Sequence, residues 1–270
     1  MGLTFDANKL DSEKELVDTM TYDGLIDAFY NYHMGVTAEN VAAEHDISRA
    51  QQDAFAMTSQ TRAAAAIRDG RFEDQITPVS VKVKRDKVDF ICDEHPKQAD
   101  EAALAGLRPV FQKDGSVTAG NASGINDGAA ALVLAQASAA QMAGLRPRAR
   151  VLGYAHAGVR PAVMGIGPIP AVQNLLHKTG LTVEDFDVIE SNEAFAAQAL
   201  AVNKALGLDA ARVNPNGGAI ALGHPVGATG AILLIKALHE LERTQSDRAL
   251  ITMCIGGGQG IALAIERIAA

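Results

Sequence analysis

A chain of 270 residues can bury one large hydrophobic core or two modest ones, and this one is 48% hydrophobic but only 4% aromatic, with 25 glycines and no tryptophan. That composition points to a core of Ala, Val, Ile and Leu, as in tightly layered α/β proteins. The net charge of −8 argues against nucleic acid as a partner, no apolar run approaches the ~18 residues of a membrane span, and two cysteines exclude a disulfide framework, so the chain reads as soluble and cytoplasmic.

Residues 1 to 110 are polar and helical in pattern. Thr37-Ala38-Glu39-Asn40 opens a run with Val41, Ala42 and His45 at helical spacing. Ser48-Arg49-Ala50-Gln51 is a capping-box start for an Ala-rich helix that Asp69-Gly70 ends. Lys82 to Asp93 alternates charged and apolar residues, which suggests strands on a solvated surface. This half reads as a surface-rich insertion rather than a self-sufficient core. Thr118 to Gly124 is a run of small residues, and Asn126-Asp127-Gly128 leads into an apolar stretch, Ala129 to Leu134. The last part alternates strand and helix. Val151–Ala155, Phe186–Glu190, Ala249–Ile255 and Ile261–Ile268 are predicted strands; Pro170–Thr179, Ala194–Leu206 and Val226–Leu241 are predicted helices. Such alternation implies a mixed sheet covered by helices on both faces.

Three loops beside these elements could carry chemistry. Asn192 follows a buried strand, at the sheet edge where ligands gather, although Asn there equally suits a helix cap. Pro225 fits a first helical position, which puts His224 at a helix N-terminus, where the ring stays neutral; the plain alternative is a satisfied core histidine. Cys254 ends a strand and precedes Gly256-Gly257-Gly258, whose unhindered amides could converge on an oxyanion; a buried apolar cysteine beside a hairpin turn is the bland reading. Together the loops suggest acyl transfer through thiol chemistry, and residue chemistry alone makes Cys254 the nucleophile.

Asn192-Glu193-Ala194-Phe195, Gly223-His224-Pro225 and Cys254-Ile255-Gly256-Gly257-Gly258 resemble, in order and spacing, the signature of the thiolase family. Tyr32-His33-Met34-Gly35, Arg108-Pro109 and Ala119 to Gly124 match it as well. Thiolases are coenzyme-A-dependent enzymes that make or cleave β-ketoacyl thioesters, and the likeness is greatest to acetyl-CoA acetyltransferases and short-chain β-ketothiolases. The resemblance implies an α/β fold: a thiolase-like C-terminal half-domain, with a mixed sheet and helices on both faces, plus an inserted α+β loop domain. It reassigns Cys254 from nucleophile to the acid/base that exchanges a proton with the acetyl-CoA methyl group. His224 would activate the family's nucleophilic cysteine and hold the thioester oxygen. Asn192 would position a water in one oxyanion hole, and the Gly256 amide would form half of another. The pantetheine channel would map to Leu25, His33, Met34, Phe111, Ala119, Ser123, Met164 and Phe195, with Pro96-Lys97 at the adenine end where the family often has an arginine. Coenzyme A and acetyl-CoA would be substrates, with no prosthetic group and no metal.

Cys92, between Ile91 and Asp93, does not stand in the context of the family's nucleophile. The expectation is therefore a chain lacking the N-terminal half-domain that carries that nucleophile, and incomplete without it. Residues 1–125 would form the loop domain and cofactor channel, 126–146 a remnant that normally completes the N-terminal half-domain, and 147–270 the C-terminal half-domain. Expected partners are an acyl-CoA substrate and either a second copy in a homo-oligomer or a chain supplying the missing half-domain, with neither nucleic acid nor membrane. The competing reading is a non-catalytic coenzyme-A-binding module. Intact His224, Cys254 and Asn192 favour the enzyme, and the absent nucleophile favours the binding module.

Overall fold

The computed structural model describes residues 17–97 and 100–269. Helix α1 spans Met34–Glu44 and α2 spans Arg49–Arg68. The first begins three residues before the predicted Thr37, because His33 caps it: His33 Nδ1 accepts the Gly35 N–H at 3.0 Å. The second has the expected capping box, with Ser48 N–H donating to Gln51 Oε1 at 2.8 Å and Gln51 N–H donating to Ser48 Oγ at 3.3 Å. Strands β1 (Val79–Val83) and β2 (Asp86–Phe90) form an antiparallel, solvated hairpin that turns at Lys84, whose φ is 57°. Two short helices follow, α3 (Glu101–Ala105) and α4 (Ala137–Met142).

The second half is built on a four-stranded sheet of β3 (Ala149–Gly158), β4 (Val188–Ser191), β5 (Arg248–Ile255) and β6 (Gln259–Arg267), in the order β3-β6-β5-β4. Strand β6 runs antiparallel to both neighbours and β4 parallel to β5, so the sheet is mixed as expected. Helices α5 (Pro168–Thr179), α6 (Ala196–Leu206), α7 (Ala219–Leu222) and α8 (Thr229–Thr244) complete the fold. Alternation along the strands separates two cores. Leu250 and Ile189 face Val172 and Leu175 of α5, while Ala249, Ile251 and Val188 face Leu233 and Leu241 of α8. Gly180 and Gly207 end α5 and α6 in the left-handed conformation, as the sequence predicted.

Two expectations change, the start of helix α8 and the character of the first half. Helix α8 starts at Thr229 rather than Val226, because Ala228 N–H and Thr229 N–H both turn back onto Pro225 O, at 2.8 and 2.9 Å. His224 therefore lies in the turn ahead of the helix rather than at its first residue. Residues 129–134 adopt no regular structure, and Val133 and Leu134 are 90% and 78% exposed. The first half is more than surface. Helix α1 packs against α6, and α2 against α6 and α7, burying Ala38, Val41, Ala56, Ala63 and Ala66.

Candidate active site

The end of β4 and the turn after it set the site. Asn192 donates its backbone N–H to Thr252 O on β5 at 3.0 Å, which ties this turn two residues upstream of Cys254. Its side chain reaches the other way, placing Nδ2 3.3 Å from His224 Nε2. Asn192 is therefore no helix cap: α6 begins at Ala196, with Phe195 at the cap position. Asn192 is 1% exposed, and its Oδ1 is buried without a hydrogen-bond partner among the described residues. A buried acceptor left open costs free energy unless something fills it, and a substrate group or a bound water would do so.

The His224 ring is held at its other nitrogen by Thr229 Oγ1, 2.7 Å from Nδ1. That hydroxyl is also 2.9 Å from Pro225 O and has one proton to give. When it donates to Pro225 O, Nδ1 carries the ring proton and Nε2 presents a lone pair. When it turns to Nδ1, Nε2 bears the proton and can donate to an oxyanion. Burial holds the pKa of His224 below the ordinary histidine range, so the ring rests neutral. The backbone N–H of His224 donates to Asn126 Oδ1 at 3.1 Å.

Cys254 sits near the end of β5, opposite Gly260 of β6, and the Gly256–Gly258 turn follows. Burial pushes its thiol up to about 12. A resting thiolate is thereby disfavoured, and the thiolate that forms on losing the proton is strongly basic. The buried cluster around Cys254 contains Met34, Met164 and Phe195, with Phe111 packed against it. Phe111 stacks on His33 at 4.7 Å between ring centroids and meets Phe195 edge-on at 6.1 Å. A Cβ at Gly256 would lie 3.0 Å from Met34 Cε, so the glycine turn and this apolar wall are in contact. Ser123 donates Oγ–H and N–H to Ala194 O, each at 3.0 Å, and an isolated bridge joins Ala122 to Phe195. The structure thus gathers Met34, Phe111, Met164, Phe195 and Cys254, with His33 and Ser123 at their edge. Ala119 is exposed in its own turn, and Leu25 is half-buried at the end of a short π-helical segment. Cys92 is exposed just after β2. Among the described residues no cluster of His, Cys, Asp or Glu could hold a metal, and no helix is long and apolar enough to cross a membrane.

A buried polar layer beneath these loops escaped the sequence reading. Glu193 Oε2 accepts the Ser59 hydroxyl at 2.6 Å, and its Oε1 accepts from Asn214 Nδ2 at 2.8 Å. Asn214 also bonds both Ser191 N–H and Ser191 O, at 2.9 and 2.8 Å, holding a left-handed backbone with φ of 46°. Lys236 of α8 donates to Glu190 Oε2 at 2.7 Å and to Gly217 O at 2.6 Å. The segment 214–218 leading to His224 is therefore anchored to β4, α2 and α8. Glu190, Ser191, Glu193 and Asn214 lay within the loops singled out in the sequence, but no role was read for them there. Asn126 stood only as the start of a turn, Thr229 only within the His224 loop, and His95 only as an ordinary histidine.

The thiolase C-terminal domain model matches residues 145–267, and the thiolase N-terminal domain model matches residues 4–138. The beta-ketothiolase BktB of Cupriavidus necator is 60% identical over 255 residues, 94% of this chain and 64% of that protein. An acetyl-CoA acetyltransferase of Escherichia coli K12 is 55% identical over 94% of this chain and 65% of its own length. The crystal structure of the Bacillus anthracis acetyl-CoA acetyltransferase superposes with a TM-score of 0.91 at 45% identity, covering 98% of this chain and 68% of that one. The chain thus spans somewhat under two thirds of the length of these curated relatives. The N-terminal match corrects the expectation that the N-terminal half-domain is missing: residues 4–138 belong to that domain's pattern. The expectation rested on the surroundings of one cysteine and on reading a polar helical stretch as an insertion. The packing of α1 and α2 against α6 shows that this stretch is joined to the same core.

Proposed function

The chain belongs to the thiolase family, and from that premise we propose that it acts in acetyl-CoA C-acetyltransferase (β-ketothiolase) chemistry on short acyl-CoA thioesters. The observation that carries this is Asn192, whose backbone is bonded to β5 beside Cys254 and whose side chain faces His224. A protonated thiol, a neutral imidazole and an open amide oxygen are thereby set around one turn.

In the cleavage direction, acetoacetyl-CoA and CoA give two molecules of acetyl-CoA. The bond between the α-carbon and the β-carbonyl breaks, its electron pair passes into the enolate of acetyl-CoA, and the acetyl group ends on the sulfur of CoA. The Cys254 thiol, the resting form of a group pushed up to about 12, donates its proton to the α-carbon, and the proton that the CoA thiol gives up on taking the acetyl group restores Cys254. His224 Nε2, protonated when Thr229 turns to Nδ1, donates to the enolate oxygen with a water placed by Asn192 beside it. The Gly256 amide serves the oxyanion at the acyl carbon. Met34, Phe111, Met164 and Phe195, with Leu25, His33, Ala119 and Ser123, line the pantetheine arm. In the condensation direction the same proton returns to Cys254. No role is assigned to Cys92.

The test is turnover of acetoacetyl-CoA with CoA, followed by chromatography of the thioesters. Acetyl-CoA is the expected product. Failure to consume any 3-ketoacyl-CoA by folded protein would contradict the proposal.

A further inference from the structure

Behind the His224 turn lies a second histidine. His95 Nε2 is 3.2 Å from Ile220 O, and its Nδ1 is 3.3 Å from Asn126 Nδ2, whose Oδ1 accepts the His224 backbone N–H at 3.1 Å. The chain of bonds has one consistent polarity. A carbonyl only accepts, so His95 carries its proton on Nε2. Nδ1 is then a lone pair that accepts from the Asn126 NH2, and this orientation turns the amide oxygen toward His224. The surrounding backbone is cut to fit: a Cβ at Gly124 would overlap the His95 ring, and one at Gly223 would lie 2.7 Å from the Asn126 amide. Gly223 also holds φ at 97°, which side chains rarely adopt.

We propose that His95 and Asn126 are positioning residues for His224, and that protonation of His95 releases the His224 turn. The inference rests on the reading of His224 as part of the reacting site. Imidazolium places a second N–H against the Asn126 NH2. The amide then rotates to offer its oxygen to His95, which brings its NH2 against the His224 N–H, donor to donor. Neither step alters the Thr229 contact, so the ring stays in place while its backbone loses its anchor. The charged groups facing His95 are Asp93, which favours the imidazolium, and Lys97, which opposes it. Burial dominates both and holds the pKa below the ordinary histidine range. The turn is thus anchored at neutral pH and released on acidification.

The test is a pH titration of the whole chain by 15N-resolved NMR, following the His95 ring and the His224 backbone amide together. In the unaltered protein the His224 amide should show a step at the pH where His95 titrates. In Asn126→Ala that step should vanish while the His95 ring still titrates. In His95→Gln, which keeps an acceptor for Asn126 and cannot titrate, it should vanish as well, and kcat for acetoacetyl-CoA cleavage should lose the corresponding acid limb. A His224 amide blind to His95, or one that still follows it in Asn126→Ala, would overturn the relay. Loss of turnover in every form with the NMR coupling intact would instead tell against the proposed function and leave the relay standing.

Discussion

Cys254 and Cys92 differ in surroundings as far as two cysteines in one chain can. The first is 6% exposed, with burial pushing its thiol up to about 12; the second is exposed beyond β2. Alkylation proceeds through the thiolate, so iodoacetamide at pH 8 should label Cys92 first and Cys254 at least ~100-fold more slowly. Peptide mass spectrometry over time would show it, and comparable rates would contradict the burial argument. At this scale the sequence revealed chemistry better than connection. Asn192, His224 and Cys254 stood out because their neighbours are glycines, prolines and helix or strand ends. Asn126, Thr229 and His95 did not, because their importance lies in contacts made across 98, 5 and 125 residues of chain. Residue type alone first suggested Cys254 as a nucleophile. Its raised pKa suits a proton donor, the role proposed for it above.

Helix α8 joins the two sides of the site through Lys236. Its ammonium group, 5% exposed, lies between Glu190 at the end of β4 and the Gly217 carbonyl in the segment that leads to His224. Burial pushes Glu190 up to about 7 even with this partner. Lys236→Ala leaves that carboxyl buried without a counter-charge and should cost about 3–5 kcal/mol at pH 8. The pH dependence has a definite sign. A carboxyl whose folded pKa is raised favours folding while protonated, and that favour is lost as pH rises through the folded value. The variant's deficit should therefore grow from pH 6 to pH 8, as measured by urea unfolding. A change below ~1 kcal/mol at pH 8 would show that the pair is not structural. The helices were legible where local signals end them, as at Ser48, Gly180 and Gly207. They were misplaced at α1 and α8, where the boundary is set by His33 bonding Gly35 and by two amides converging on Pro225 O.

For the whole molecule, the mixed sheet and its two covering helices could be read from alternating apolar runs, because each strand buries opposite faces against α5 and α8. The contribution of residues 34–68 could not. Its buried face is mostly alanine, which carries little hydrophobic contrast, so helices that pack on α6 and α7 look in sequence like a polar surface. The exposed run 129–134 was recognised as apolar, yet nothing local could say whether it is strand or coil. What unites the molecule is the claim that this fold places one buried thiol as acid/base at the α-carbon of acetyl-CoA. The most direct measurement is deuterium wash-in to the acetyl-CoA methyl group in D2O, followed by NMR, for the chain and for Cys254→Ala. Since the thiolate fraction rises about tenfold per pH unit well below a pKa of about 12, protein-dependent exchange should climb at that slope from pH 7 to pH 10. Cys254→Ala should show only the buffer's own exchange. Equal exchange by the variant and the unaltered chain would contradict the account.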